Sequence, residues 1–493
     1  MTKTTAKSAT KTSKLKSAKA DAKVIRTRFA PSPTGFLHIG GLRTALYAYL
    51  YAKKKKGKFI LRIEDTDQER LVKGSEEVIY RTLKAAGLKY DEGPDVGGEF
   101  GPYIQSQRKD TYKKYAEKLV KNGGAYYCFC TKERLEKVQG DKVSKYDKYC
   151  SKLTKEEVSA KLKAKEPFVI RQNIPATGTS TYSDLVFGDI TIDNKELEDG
   201  ILIKSDGMPT YNFANVVDDY LMGINVVIRG TEYLSSTPKY NYMYKGLGWE
   251  IPTYMHLQPI MRDSQHKLSK RHGDASYEDF ISKGFLGEAI VNYIALLGFS
   301  PPDNQERMTL KELQAVFGVE GLSKSPSIFD VEKMKWLNSL YIKELEPKKF
   351  YKLVKPFLQK LDYLKGYDLE FIANLAQSRV SILSDVDSIL NFITKFDDFD
   401  LGMFVHEKNK VDKDLVKQML PGLIKAVEKS FNDIPSLIEN FAADFNYKKG
   451  QVMWVFRIAL TGSLVTPGGA SDMAKLFGKE KTIARLKATL DRF

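Results

Sequence analysis

Apolar and polar positions along this chain follow two periods, and the switches between them mark its elements. The run Val24-Ile25-Arg26-Thr27-Arg28-Phe29-Ala30 is β-prone and stops at Pro31-Ser32-Pro33-Thr34-Gly35, a loop written in turn residues. Leu42, Ala45, Leu46, Tyr49 and Leu50 then recur at i, i+3, i+4, i+7 and i+8, which predicts a helix. Lys53 to Lys56 place positive charge at its negative end, and Gly57 can stop it. Phe59-Ile60-Leu61-Arg62-Ile63 reads as a second strand that ends at Glu64-Asp65-Thr66-Asp67, and Ile79, Leu83 and Ala86 align on a further helix before Gly87. Strand, helix, strand, helix at these lengths is an α/β unit with parallel strands.

A later strand, Ile224-Asn225-Val226-Val227-Ile228, ends at Arg229-Gly230. Between the halves, Tyr112, Tyr115, Ala116, Leu119 and Val120 form another helical stripe closed by Asn122-Gly123, and residues 105–210 read as an insertion into the α/β core. Beyond about residue 275 the strand signal fades into charged helical patterns broken by Pro and Gly, so the rest of the chain is expected to be mostly α-helical. No internal repeat is visible.

Length and composition narrow the function classes. At 493 residues the chain exceeds one ordinary core, and three or more domains are expected. No run approaches eighteen uncharged apolar residues, so neither a membrane-spanning helix nor a membrane partner is expected. The formal net charge of +16 suits a polyanion, because Lys and Arg that neutralise phosphates release condensed counterions. Residues 1–23 hold seven Lys and one Asp, so six of those charges sit there, and the bias over the remainder is moderate. That tail has no apolar core for a secretory signal and none of the Arg that organellar presequences favour; it reads as a disordered basic arm. Three cysteines argue against a disulfide framework and for a reducing compartment, here taken as the cytoplasm.

Two short motifs carry chemistry. His38-Ile39-Gly40-Gly41 sits between the first strand and the first helix, where free backbone N–H groups and partial positive charge suit phosphate. His38 can donate to phosphate oxygens, and the glycines permit close approach of a nucleotide. Far downstream, Lys267-Leu268-Ser269-Lys270-Arg271 gathers cations able to neutralise a leaving pyrophosphate. Each motif alone is weak, since a Gly-rich turn and a solvated basic patch are both common. As a pair they are the two-part signature of class I aminoacyl-tRNA synthetases, and the absence of a Gly-x-x-x-x-Gly-Lys-[Ser/Thr] loop excludes a P-loop NTPase.

More specifically, Arg28-Phe29-Ala30-Pro31-Ser32-Pro33-Thr34-Gly35, Leu61-Arg62-Ile63-Glu64-Asp65-Thr66-Asp67, Asp91-Glu92-Gly93-Pro94 and Tyr211-Asn212-Phe213-Ala214-Asn215-Val216-Val217-Asp218-Asp219 resemble bacterial-type glutamyl-tRNA synthetases. Val227-Ile228-Arg229-Gly230, Lys335-Trp336-Leu337-Asn338 and Leu460-Thr461-Gly462-Ser463 fit the same family, in order from about residue 24 to the C-terminus. Glutaminyl relatives usually open with Pro-Pro-Glu-Pro-Asn-Gly where this chain has Ala30-Pro31-Ser32-Pro33-Thr34-Gly35.

The amino-acid pocket can be reasoned from charge. Glutamate carries two carboxylates and one ammonium, and Arg28, Glu64 and Arg229 lie at or just beyond the C-terminal ends of three predicted strands, the edge that forms the ligand crevice of open parallel sheets. Arg28 and Arg229 can bind carboxylates bidentately, and Glu64 can take the ammonium. The resemblance implies the same three positions for glutamate, with Ser32, Tyr211 and Asn215 as hydrogen-bonding walls and Arg229 reading the side-chain carboxylate. It implies His38, Gly40, Glu232, Lys267, Ser269 and Lys270 for ATP, with His38, Lys267 and Lys270 catalytic. Asp65 and Asp67 could organise their loop, hydrogen-bond ribose or cap a helix. Arg379 lies where the family places an arginine near the third anticodon base.

Cys128, Cys130 and Cys150 match three ligand positions of the zinc-binding members of the family. Where those members carry a fourth ligand, typically His, this chain has Lys152, and none of its five histidines lies in the insertion. Tyr149, Asp147 or water are the groups left to complete a shell; zinc prefers four ligands, so three buried thiols without metal are expected.

The expected architecture is a Rossmann-like parallel-sheet catalytic domain (24–104 and 211–262) with an inserted α/β acceptor-stem domain (105–210). A stem-contact region (263–346) and an α-helical anticodon-binding region (347–493) follow. The implied function is ATP-dependent glutamate–tRNA ligation with Mg2+, acting as a monomer on L-glutamate, ATP and tRNA(Glu). The glutamate α-carboxylate is itself the nucleophile toward ATP, so catalysis rests on positioning and charge stabilisation and needs no covalent enzyme intermediate.

Overall fold

The computed structural model describes residues 24–139, 145–268, 276–396 and 399–493; the basic tail lies outside them. Strands Arg26–Phe29 and Lys58–Leu61 pair in parallel, with Arg28 opposite Ile60. Helix Ile39–Lys54 joins them and buries Leu42, Ala45, Leu46, Tyr49 and Leu50, the stripe its spacing predicts. The chain then turns so tightly that a Cβ on Gly57 would lie 2.1 Å from the Ile25 carbonyl oxygen, so only glycine fits there. Past Leu61 the backbone stays extended: the N–H groups of Arg62 and Glu64 donate to the carbonyls of Phe29 and Pro31, both at 3.0 Å. These bonds carry Glu64 to the edge of the sheet beside the Pro31 loop.

Strands Val226–Gly230 and Thr253–Leu257 are also parallel. The predicted strand at 224 begins two residues later because Asn225 is used as a clamp on the first strand: the Arg26 N–H donates to its Oδ1 at 2.8 Å, and its own N–H donates to the Arg26 carbonyl at 3.2 Å. Part of the segment expected as an insertion completes this sheet. Hairpin Thr179–Asp184 and Gly188–Asp193 joins through Asp184 opposite Tyr254, giving the order 188–193, 179–184, 253–257, 226–230. The rest of the segment is an antiparallel sheet of Ala125–Cys128, Val169–Gln172 and Ile201–Ile203, backed by helix Lys109–Lys121 around Tyr112, Ala116 and Leu119.

The C-terminal part is helical, apart from a two-residue parallel pairing of Ile260–Met261 with Ser327–Ile328. Helices Val331–Glu344, Pro347–Leu358, Lys413–Lys429, Ile434–Asp444, Lys449–Thr461 and Ala470–Leu490 dominate it. One buried apolar cluster runs from Phe29 in the sheet to Leu486 in the last helix, so this part is packed onto the core. Among the described residues no helix is long and apolar enough to cross a membrane.

Candidate active site

The parallel strands bring Arg28, Glu64 and Arg229 to one edge, and the start of helix Tyr211–Leu221 adds Tyr211 there. Arg28 is buried, its Nε donating to Asp219 at 3.0 Å and its Nη1 to the Ile228 carbonyl at 3.1 Å. The bidentate grip expected of Arg28 is therefore narrowed to its outer Nη edge. Burial opposes its charge, but Asp219, Glu64 and Tyr211 together outweigh it and its pKa is raised. Glu64 Oε1 accepts both Nη2 (2.8 Å) and Nε (3.3 Å) of Arg62. Burial raises the Glu64 carboxyl above its usual range, against the pull of Arg62 and Arg28.

Arg62 is the centre of this arrangement, with no exposed surface. Its Nη1 donates to Asp219 at 2.7 Å, so Asp219 is shared between Arg28 and Arg62. The two arginines hold the Asp219 carboxyl below its ordinary pKa although burial pushes the other way. Next in the chain, Asp218 accepts from Arg108 Nε (2.7 Å), Tyr112 OH (2.8 Å) and Gln105 Nε2 (2.9 Å), tying the inserted helix to the pocket. Both acids stand in a quoted motif and Arg62 interrupts an apolar strand; that interruption was the one signal in the sequence for this network.

Arg229 differs in kind. It is 5% exposed, yet its polar partners among the described residues are neutral: Nε faces His256 Nε2 at 3.2 Å and Nη2 donates to Thr237 Oγ1 at 2.7 Å. Its guanidinium lies 4.5 Å from the Tyr240 ring centre, 5.0 Å from Tyr233 and 5.3 Å from Tyr254. Tyr211, whose ring is 5.7 Å from Tyr233, has its phenol pKa raised by burial and then by Glu64, so it stays a hydrogen-bond donor. Asn215 is buried with its Nδ2 donating to the Tyr211 carbonyl at 2.8 Å. Ser32 is exposed in the loop after the first strand.

At the nucleotide side, His38 caps helix Ile39–Lys54 with Nδ1 accepting from the Gly40 N–H at 3.0 Å, which fixes its ring at the start of the helix. Glu232 is exposed in the 3-10 turn Thr231–Tyr233 after the Arg229 strand. Lys267 is exposed on the return arm of a turn, bridged to Met261. Ser269 and Lys270 lie outside the described residues. Asp65 organises its loop, its Oδ1 accepting from the Ser106 N–H at 2.8 Å. Asp67 sits on the surface, 4.0 Å from Arg70, and caps nothing with its side chain.

The three thiols converge within 4.8 Å of one another, with Cys128 and Cys150 buried and Cys130 half-buried. The group beside them is neither Tyr149 nor Asp147. Tyr149 lies under Arg134 (4.2 Å from guanidinium to ring centre), and Asp147 pairs with the same arginine at 2.6 Å. Tyr146 OH instead lies 3.4 Å from both Cys128 and Cys130 Sγ and accepts from the Cys150 N–H at 3.1 Å. Three thiols and a phenol hold one another by hydrogen bonds, with a fourth position that is not the usual nitrogen or sulfur.

In the helical part, Arg379 is exposed and its charge depresses the pKa of Arg457, after burial. Arg457 lies 4.9 Å from the Trp454 ring centre and donates to the Leu464 carbonyl at 2.9 Å, so two arginines and an aromatic ring adjoin the Leu460-Thr461-Gly462-Ser463 turn.

These features coincide with family-level similarity. Residues 24–336 match the catalytic domain of class I tRNA synthetases for glutamate and glutamine, and residues 349–490 match an anticodon-binding domain. The chain belongs to the class I aminoacyl-tRNA synthetases of that type. Within them it falls among the glutamate–tRNA ligases. It is 52% identical to the glutamate–tRNA ligase of Clostridium botulinum (strain Eklund 17B) over 95% of this chain and 99% of that protein, and 50% identical to that of Clostridium acetobutylicum over 95% and 98%. The glutamate–tRNA ligase of Elizabethkingia meningosepticum, solved with its amino acid, superposes with a TM-score of 0.83 at 33% identity, covering 95% of this chain and 99% of that one.

Proposed function

We propose that this glutamate–tRNA ligase reads the side-chain carboxylate of L-glutamate with Arg229, the α-ammonium with Glu64, and the α-carboxylate with the outer edge of Arg28. Ser32, Tyr211 and Asn215 line the remaining wall. The observation that carries the reading is the state of Arg229. A buried guanidinium held only by neutral acceptors and aromatic faces keeps its charge for an incoming anion, and a neutral amide would leave that charge uncompensated. Glutamate is thereby favoured over glutamine.

ATP enters at the start of helix Ile39–Lys54, where His38, Gly40 and the helix dipole suit its phosphates; Glu232, Lys267, Ser269 and Lys270 complete the nucleotide site. ATP is taken as its Mg2+ complex. Attack of the α-carboxylate on the α-phosphorus gives glutamyl-adenylate and pyrophosphate, and the 3′-terminal adenosine hydroxyl of tRNA(Glu) then takes the glutamyl group. Residues 24–104 and 211–262 bind the small substrates and 105–210 the acceptor end. Residues 263–346 contact the stem and 347–493 the anticodon, with Arg379 beside its third base. The enzyme works as a cytoplasmic monomer.

The test is aminoacylation with labelled glutamate and ATP on separate tRNA(Glu) and tRNA(Gln) transcripts, with glutamine as control. Glutamate on tRNA(Glu) and no charging of glutamine is expected. Charging of glutamine, or of nothing, overturns the Arg229 assignment. Glutamate on tRNA(Gln) as well would mean that Arg379 beside the third base does not separate the two tRNAs.

A further inference from the structure

Behind Arg229 lies a buried histidine that the chemistry above does not use. His256 is fully buried on strand Thr253–Leu257, and its two ring nitrogens are engaged on opposite sides. Nε2 faces Arg229 Nε at 3.2 Å, and because a guanidinium only donates, Nε2 must be the unprotonated acceptor. Nδ1 therefore carries the proton and donates it to Asp184 Oδ2 at 2.7 Å. Asp184 is held in turn: its Oδ1 accepts from the Val186 and Phe187 N–H groups at 2.9 and 3.0 Å, and Oδ2 also accepts from the His256 N–H at 3.0 Å. Thr237 has one hydroxyl proton, committed to the Tyr233 carbonyl at 2.8 Å, so toward Arg229 it too is purely an acceptor.

We propose that Asp184 and His256 are positioning residues for amino-acid specificity, a relay that locks His256 as its neutral Nδ1–H tautomer and fixes the plane of Arg229 without neutralising it. The inference rests on Arg229 as the reader of the side-chain carboxylate. A carboxylate placed directly on Arg229 would hold it equally well but would spend the charge that glutamate needs. One imidazole between them keeps the geometry and moves the anion away. The hairpin that supplies Asp184 thus contributes to the pocket through the core sheet.

The relay makes glutamate recognition pH-dependent. His256 is faced by Asp184, Arg229, Glu232 and Thr237 and by the rings of Tyr182 and Tyr254. Burial, then Arg229, lowers its pKa against the opposing pull of Asp184 and Glu232. It is neutral above the ordinary histidine value of about 6.5 and gains a proton only as pH falls below it. That proton removes the acceptor and sets a second cation against Arg229, so glutamate affinity is full above this range and lost beneath it.

The experiment is the KM for glutamate and for ATP in aminoacylation, from about pH 5.5 to 8, for the wild type, His256→Gln and Asp184→Asn. Glutamine at position 256 can present a carbonyl to Arg229 but cannot titrate. The wild-type KM for glutamate should climb on the acid side while that for ATP does not, and His256→Gln should flatten the climb. Asp184→Asn should raise the KM for glutamate about tenfold at neutral pH, the loss of one hydrogen bond to a charged group, with the KM for ATP unchanged. A flat wild-type profile, an acid limb undiminished in His256→Gln, or equal changes for both substrates would overturn the relay; a shallower residual limb belongs to Glu64, whose carboxyl burial also raises. If His256→Gln does not fold, the wild-type profile and Asp184→Asn decide. A protein that charges no glutamate at any pH would bring down the Arg229 reading itself, and the relay with it.

Discussion

Arg62 ties the stability of a buried network to the residues proposed to read glutamate. It meets no solvent and bridges Glu64 and Asp219, which in turn hold the pocket edge and Arg28. Removing it leaves the buried Glu64 carboxylate without its hydrogen-bonded cation and Asp219 with Arg28 alone, whereas an exposed ion pair of the same length would be worth little. Arg62→Leu is expected to destabilise the protein by about 3–5 kcal/mol, read as a lowered urea midpoint. A midpoint within experimental scatter of the wild type would mean that Arg28 alone sustains the network. Motif and charge single out Arg28, Glu64 and Arg229, and the structure gathers the three at one sheet edge. Asp219, Asp184 and His256 were not placed in the site, because their partners lie 191, 72 and 27 residues away in sequence and no local pattern encodes such distances.

At the scale of elements, helical stripes were read almost to the residue. Helix Lys109–Lys121 ends at Asn122 with Gly123 at φ 80°, as its stop signal implied. The hairpin at 179–193 carries no comparable signal, since its membership of the core sheet is decided by one pairing, Asp184 with Tyr254. The last long helix, Ala470–Leu490, is broken at Gly478, which has φ 74° and ψ 170°. That region is open essentially to glycine alone, and a Cβ there would meet nothing within 4 Å. Gly478→Ala therefore isolates backbone strain from packing. It is expected to cost about 1–3 kcal/mol and to lower the thermal midpoint. An unchanged midpoint would show that the two helical halves can straighten without loss.

Across the whole molecule, the basic excess and the two family-matched regions suit one large polyanionic substrate. Removing residues 1–23 takes away six net positive charges. If the tail touches tRNA, the plot of log Kd against log salt should flatten by about 0.7–0.9 for each phosphate released. The KM for glutamate should not move. An unchanged slope would confine the tRNA contacts to residues 24–493.

The sequence by itself determined the class of fold, the family and which charged residues stand at the strand ends. Periodicity reports which faces are apolar, and motifs report chemistry that only a few residue types can perform. The tertiary structure decided which charges are spent and which are kept. Arg28 and Arg229 look equivalent in the sequence, yet one is paired with a buried carboxylate and the other is held by an imidazole and a hydroxyl. That difference arises from where distant strands and a hairpin bring their side chains, and it is the charge left over, rather than the charge present, that selects a ligand.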